Sequence, residues 1–453
     1  MPGPFNRAAV PPDELTVAGR RDPRAAQTTE SSAYQVWLVT LLSLTFGIVF
    51  FDRNSLGFLM PFIQGELHLS DTEVGILSSA LSLTWACAAF GIGYISDRTG
   101  SRKGLLILAT VLFSACSFLS GLATSFAILL GARLLMGVAE GGMMPIMQAI
   151  VADEVRAEHR GLAMGVTQNF GSNLLGTFLA PVVLTAVATA YGWRHAFFLA
   201  GIPGLVAAIL LWRFVRPPVE PASASQGLRR TADGAGAHGA SAPAQASATR
   251  PPLREVCAER NVVLCALMAI VLVSNFVVCL TFMPLYLTQV RHFSPDEESW
   301  LIAALGLSAT AGAFVISALS DRIGRRPLMI AMPIIAVILP LGAMYYPGSA
   351  WVLAAIFVVG WGVTGIFPLF MATIPSESVD PHLRATALGI CMGTGEILGG
   401  VLAPAIAGYA ADRMGLQAPL WIMFGLTLVG AALALGLRET APRVIAYRTR
   451  QAA

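Results

Sequence analysis

The chain has 453 residues, of which 55% are apolar and only 12% charged, against about 25% charged in an ordinary soluble protein. A soluble monomer of this composition could not cover its surface, which excludes cytosolic, disordered and collagen-like classes and leaves an integral membrane protein. The net charge of +3 is too small to argue for a nucleic-acid partner, and Lys103 is the only lysine among 29 basic residues.

Residues 1–34 are polar and contain Pro and Arg but no short apolar core ahead of a small-residue cleavage site, so they predict a tail and not a signal peptide. An apolar helix of about 20 residues spans the hydrocarbon core of a bilayer. Such runs lie near 35–63, 72–95, 103–124, 126–152, 161–189 and 194–214, and a second series lies near 261–289, 299–319, 327–346, 349–374, 383–410 and 417–437. Between the series, Pro217 to Pro252 is rich in Ala, Ser, Gly and Pro and predicts a flexible linker, because it cannot bury enough apolar surface to fold. The chain therefore reads as an all-α membrane protein with twelve transmembrane helices in two six-helix bundles. Its predicted parts are a tail over 1–34, a first bundle over 35–214, a linker over 215–260, a second bundle over 261–437 and a tail over 438–453.

Charge sets the expected orientation. The tails and the loops after even-numbered helices hold 24 of the 29 basic residues, the opposite loops hold only Arg194, Arg291 and Arg413, and Arg53 and Arg133 fall within helices. The positive-inside rule then predicts both termini and the linker in the cytoplasm, in a bacterial inner membrane. Five of the six cysteines fall in apolar runs and Cys257 lies near the linker, so they read as reduced structural thiols.

The two halves repeat. Gly93 to Lys103, containing Asp97, Arg98, Gly100 and Arg102, follows the second helix, and Ser317 to Arg326, containing Asp321, Arg322, Gly324 and Arg325, follows the eighth, 224 positions later. Ala180-Pro181 and Ala403-Pro404 repeat at 223. Internal repeats at half-chain spacing are the mark of two-bundle transporters. On the pattern G-x-x-x-D-R-x-G-x-R-K and on Arg133, Gly137 and Gly141 in the fourth helix, the chain resembles the major facilitator superfamily. A finer resemblance is to the anion:cation symporters, which carry sugar acids and other organic anions with protons; it rests on Phe51-Asp52-Arg53, on Gly137 through Glu140 to Pro145, on Arg160-Gly161 and on Met283-Pro284-Leu285-Tyr286. Spinster-type transporters share the Asp-Arg pair and the glutamate more weakly. The resemblance implies a conformational gate at Gly93, Asp97, Arg98, Asp321 and Arg322.

Charges inside a bilayer are costly, by at least about 2.5–3.5 kcal/mol each, so intramembrane ionisable residues are functional candidates by default. Five stand out: Asp52, Arg53, Arg133, Glu140 and Glu396. Arg133 and Glu140 are seven residues apart, about 700° of helix, and so share one face roughly 10 Å apart. Arginine suits a carboxylate because its planar fork makes two parallel charge-assisted bonds, which predicts Arg53 and Arg133 as the anion site. A structural role, against helix backbone for Arg133 and against Asp52 or Glu140 for Arg53, is the competing reading. Burial and a neighbouring arginine act on a carboxyl in opposite senses, which marks Glu140, with Asp52 and Glu396, for proton coupling.

Gln168, Asn169 and Asn173 in the fifth helix, with Asn275 and Tyr286 in the seventh, are the expected polar lining, the alternative being helix-to-helix hydrogen bonds. Trp361 and the methionines read as packing. No phosphate loop, HExxH or Cys/His spacing suggests an enzyme, a metal or a cofactor other than the coupling proton. The expected function is a monomeric proton-coupled symporter of a small carboxylate, embedded in membrane lipid. The alternatives are a spinster-like carrier of amphipathic lipids or a multidrug exporter on the same fold.

Overall fold

The computed structural model describes residues 23–99, 101–215, 253–380, 383–441 and 443–445. The predicted linker segment Pro217 to Pro252, Gly93 and the side chains of Asp97 and Arg98 lie outside the described residues. Eleven described helices are long and apolar enough to cross a membrane. They are α1 (Ala33–Leu67), α3 (Arg102–Gly121), α4 (Phe126–Glu154), α5 (Leu162–Tyr191), α6 (Trp193–Phe214), α7 (Arg260–Val290), α8 (Pro295–Ile323), α9 (Arg325–Tyr345), α10 (Ala350–Ser378), α11 (Thr386–Met414) and α12 (Gln417–Leu435). With α2 (Asp71–Thr99), packed between α4 and α11, the spans number twelve, as the apolar runs predict.

The repeat seen in two loops extends to the helix bounds. α2 and α8 begin and end 224 positions apart, and so do α4 and α10. Even the turns match: His68 and His292, again 224 apart, are the two non-glycine residues with positive φ among those described, at 52° and 55°. Gly192 and Gly415, at φ 89° and 82°, terminate α5 and α11 in a conformation that glycine adopts without a Cβ penalty. Ser70 with Glu73 and Ser294 with Glu297 form equivalent capping boxes that open α2 and α8.

The halves meet chiefly along α2 against α11 and α5 against α8. Close approach is possible because small residues stand at the crossings. A Cβ on Gly75 would lie 2.2 Å from the carbonyl oxygen of Pro404, and one on Gly306 2.4 Å from the nitrogen of Phe178. These crossings sit toward one face, here the distal face, where the short loops α1–α2, α5–α6, α7–α8 and α11–α12 lie. Polar contacts reinforce it. Gln289 donates to Gln64 at 2.8 Å, and Thr281 to Ser78 at 3.1 Å. Asp412, at the end of α11, accepts from the backbone N–H groups of Asp71 and Thr72 at 2.8 and 2.9 Å and from the Thr72 hydroxyl. A carboxylate from one half thus caps the N-terminal end of a helix in the other, where orphan N–H groups and the helix dipole favour an anion.

On the termini face each half is tied to itself. Arg325 bonds Asp321 at 2.6 Å and Glu377 of α10 at 3.0 Å, while Glu439 accepts from the N–H groups of Arg325 and Arg326. The first half has the matching arrangement: Arg102 pairs with Asp153 at the end of α4. Within the predicted gate, Asp321 therefore engages an arginine of its own half and Arg322 is exposed. The molecule is closed at the distal face around a central cavity that extends toward the termini face.

Candidate functional site

The cavity, of about 220 Å³, lies between the halves and is lined from α1, α2, α4, α5, α7, α8, α10 and α11. Three charged residues line it, Arg53 of α1, Arg133 of α4 and Glu396 of α11, with Arg53 Nη2 4.0 Å from Oε2 of Glu396 on the opposite side. The two side chains are 14% and 26% exposed, so both face the open space. The Arg53 guanidinium carbon lies 5.1 Å from the ring centre of Trp85 and 5.6 Å from that of Phe50, within cation–π range. Glu396 sits where α11 widens into π-type turns over Gly395–Gly400, and α5 widens likewise over Ser172–Leu179 around Asn173. Such widened turns recur at functional sites because they re-aim side chains.

Successive residues on a helix point about 100° apart, and this separates Asp52 from Arg53. Asp52 turns into the interior of the first half and is fully buried. Its Oδ1 accepts from the Ser117 hydroxyl at 2.7 Å, and the same hydroxyl lies 2.9 Å from the carbonyl of Phe197. Arg133 is fully buried too, at the cavity wall. It donates to Ser120 at 3.3 Å, approaches the Met136 sulfur at 3.4 Å and lies 5.3 Å from the Phe197 ring centre. Glu140 is buried, and neither of its carboxyl oxygens has a hydrogen-bond partner among the described residues. The first half therefore holds a dry charged cluster directly behind the cavity arginine.

The predicted polar lining divides. Gln168, Asn169 and Asn173 line the cavity. Asn275 does not: it is buried, one residue's rotation away from Phe276, which does line it. Tyr286 is buried in the core at the distal end of α7, beyond the closure. A further buried acidic residue escaped the sequence reading. Glu298, in the first turn of α8, is 1% exposed with Oε1 unpartnered, and its place at the edge of an apolar run made it look like a loop residue. Sequence reasoning also missed the aromatic wall formed by Trp85, Phe276 and Phe367. Phe276 stands 224 positions after Asp52, so the repeat could have pointed to it. Trp361, read as packing, is indeed buried and stacks on Phe276 with ring centres 5.5 Å apart.

Twelve helices in two repeated halves, sealed at one face around a central charged cavity, are the architecture of a secondary transporter. The chain belongs to the Major Facilitator Superfamily, which it matches over residues 42–390 and 267–451. It is 30% identical over 397 residues to a probable 4-methylmuconolactone transporter of Cupriavidus pinatubonensis, covering 84% of this chain and 86% of that one. It is 27% identical to the hexuronate transporter of Bacillus subtilis, with 88% and 93% covered. Among solved structures, a bacterial homologue of the human lysosomal transporter Spinster, in an inward-facing and occupied conformation, superposes with a TM-score of 0.72 at 19% identity, over 89% of this chain and 96% of that one. The last likeness shows the fold. The protein is a transporter and not an enzyme.

Proposed function

We propose that this protein is a proton-coupled symporter of a small organic anion, working by alternating access in a bacterial inner membrane, with both termini and the linker cytoplasmic. The observation that carries the reading is Arg53: a guanidinium in the central cavity, between the halves, with the Glu396 carboxylate of the opposite half 4.0 Å away as its competitor. An anion entering the cavity meets a planar double donor, and the relatives' names, a methylmuconolactone and a hexuronate, support such cargo. With the termini cytoplasmic, as the 24-to-3 charge asymmetry argues, the structure faces inward.

Coupling then follows from competition. Glu396 across the cavity and Glu140 behind it both act on Arg53. When they are protonated the arginine is free for the incoming anion; when they lose their protons on the inside they reclaim it and expel the cargo. Arg133 compensates Asp52 and Glu140 within the first half and forms the rear of the anion site. The test is transport in proteoliposomes. Glu140→Gln and Glu396→Gln should keep exchange of labelled substrate between two sides while losing accumulation driven by a pH gradient alone. Accumulation that persists in both single variants and in the double variant would sink the coupling scheme.

A further inference from the structure

The cavity wall is chemically two-sided. The first half supplies most of the polar lining, with Arg53, Asn54, Gln168 and Asn173 beside Phe50 and Trp85, while the second half, apart from Glu396 and two threonines, supplies apolar groups such as Val273, Phe276, Phe367 and Met371. The hydrogen-bonding groups on both sides are largely committed already. Asn54 donates to the carbonyl of Gly176 at 3.0 Å, Asn169 to that of Gly165 at 3.2 Å, and Ser172 to that of Gln168 at 2.7 Å. In the second half Thr364 donates to the carbonyl of Trp361 at 2.9 Å, and Thr281 spends its proton on Ser78 in the closure. Each hydroxyl has one proton to give. A polyhydroxylated acid bound here would bury several hydroxyls against a second half whose wall, apart from the Glu396 carboxylate and two threonine oxygens, is apolar, and each polar group left unpaired costs free energy.

An apolar ring meets the opposite situation. Phe276 is backed by Trp361 at 5.5 Å, and Phe367 lies 5.8 Å from Phe276 at 58° and 5.0 Å from Phe370. These rings hold one another in place, so the wall needs little ordering when a ligand arrives. The volume, about 220 Å³, accommodates one ring and a carboxylate.

Resting on the proposed anion transport, we infer that the substrate is a single-ring aromatic monocarboxylate, its carboxylate on Arg53 and its ring against Phe276, Phe367 and Met371. The second half is then the specificity wall of the carrier.

Binding to the purified full-length protein in detergent, by calorimetry, tests this with benzoate, cyclohexanecarboxylate and glucuronate as probes. Benzoate should bind at least about tenfold tighter than glucuronate, the equivalent of one unpaired polar group. It should also bind roughly 2- to 10-fold tighter than cyclohexanecarboxylate, the share owed to ring–ring geometry. Phe276→Leu, which keeps apolar volume and so guards against a misfolded Phe276→Ala, should remove the preference for benzoate over cyclohexanecarboxylate and leave glucuronate unchanged. Arg53→Gln should abolish binding of all three. Glucuronate binding as tightly as benzoate, with Arg53→Gln still silencing both, would overturn the aromatic assignment and leave the anion reading standing. Binding of glycine betaine with no response to any of the three acids would overturn both.

Discussion

Asp52 and Phe276 occupy one place in two copies of a repeat, 224 residues apart, and so do Glu140 and Thr364. The scaffold around them is the same down to helix bounds, capping boxes and left-handed turn residues, yet the first half buries a cluster of two carboxyls and an arginine where the second has stacked rings. Fold symmetry here serves the motion, and the chemistry is free to be lopsided. The first half buries most of the charge; the second, apart from Glu396, presents an apolar wall to the pocket. The same holds at the distal face, where α2 and α8 carry equivalent capping boxes but only the end of α2 also receives a carboxylate, Asp412, from the opposite half. Thr189 stands at the matching position of α5, where the repeat runs at 223.

The most direct way to break this division is to remove charge from the first half. Arg53→Gln should lower transport by more than about 100-fold, since a charge-assisted bidentate contact exceeds about 3 kcal/mol when its partner is left unpaired. Arg53→Lys, keeping the charge but not the fork, should lose roughly tenfold. Uptake rates in cells expressing equal amounts of each variant would check both, and wild-type rates in Arg53→Gln would remove the anion site. Next comes Glu140→Gln, whose accumulation ratio under a pH gradient should fall to unity while counterflow stays within about twofold.

The closure offers smaller effects. Gly75→Ala puts a Cβ against the Pro404 carbonyl, 2.2 Å away, so it should favour the state in which α2 and α11 separate. Labelling of a cysteine placed at Gln64 by an impermeant reagent from outside should rise accordingly. Gly425→Ala, where a Cβ meets nothing within 4 Å, is the control and should leave labelling unchanged. Asp412→Ala removes the cap supplied across the halves, a change worth about 0.5–2 kcal/mol for helix caps. It should shift the same labelling roughly 2- to 30-fold, and Thr189→Asp, at the other crossing, should not reproduce that sensitivity in reverse.

Much of this was legible in the sequence. Lipid as solvent forces helices and long apolar runs, so twelve spans and two halves could be counted from hydropathy and confirmed by the repeat. The buried charges Asp52, Arg53, Arg133, Glu140 and Glu396 stood out because a bilayer makes them expensive. What could not be read was the direction in which each side chain points. Asp52 and Arg53 look alike as neighbours, but the rotation of α1 sends one into a dry cluster and the other into the cavity; Asn275 and Phe276 divide in the same way on α7. Contacts across the halves were equally hidden. Nothing near Asp412 announces that its partners are the N–H groups of residues 71 and 72, more than 300 positions away in the chain.

The fixed spacing of helices in the two halves has a practical consequence for assembly. Each half ties its own termini-face ends together, through Arg102 with Asp153 in one and Arg325 with Glu377 in the other, so each carries its own internal bracing. The covalent connection between the halves then raises the local concentration of one around the other. Two separately translated polypeptides, parted within that connection, are expected to find each other in the bilayer and rebuild the same central space, more slowly but to the same end.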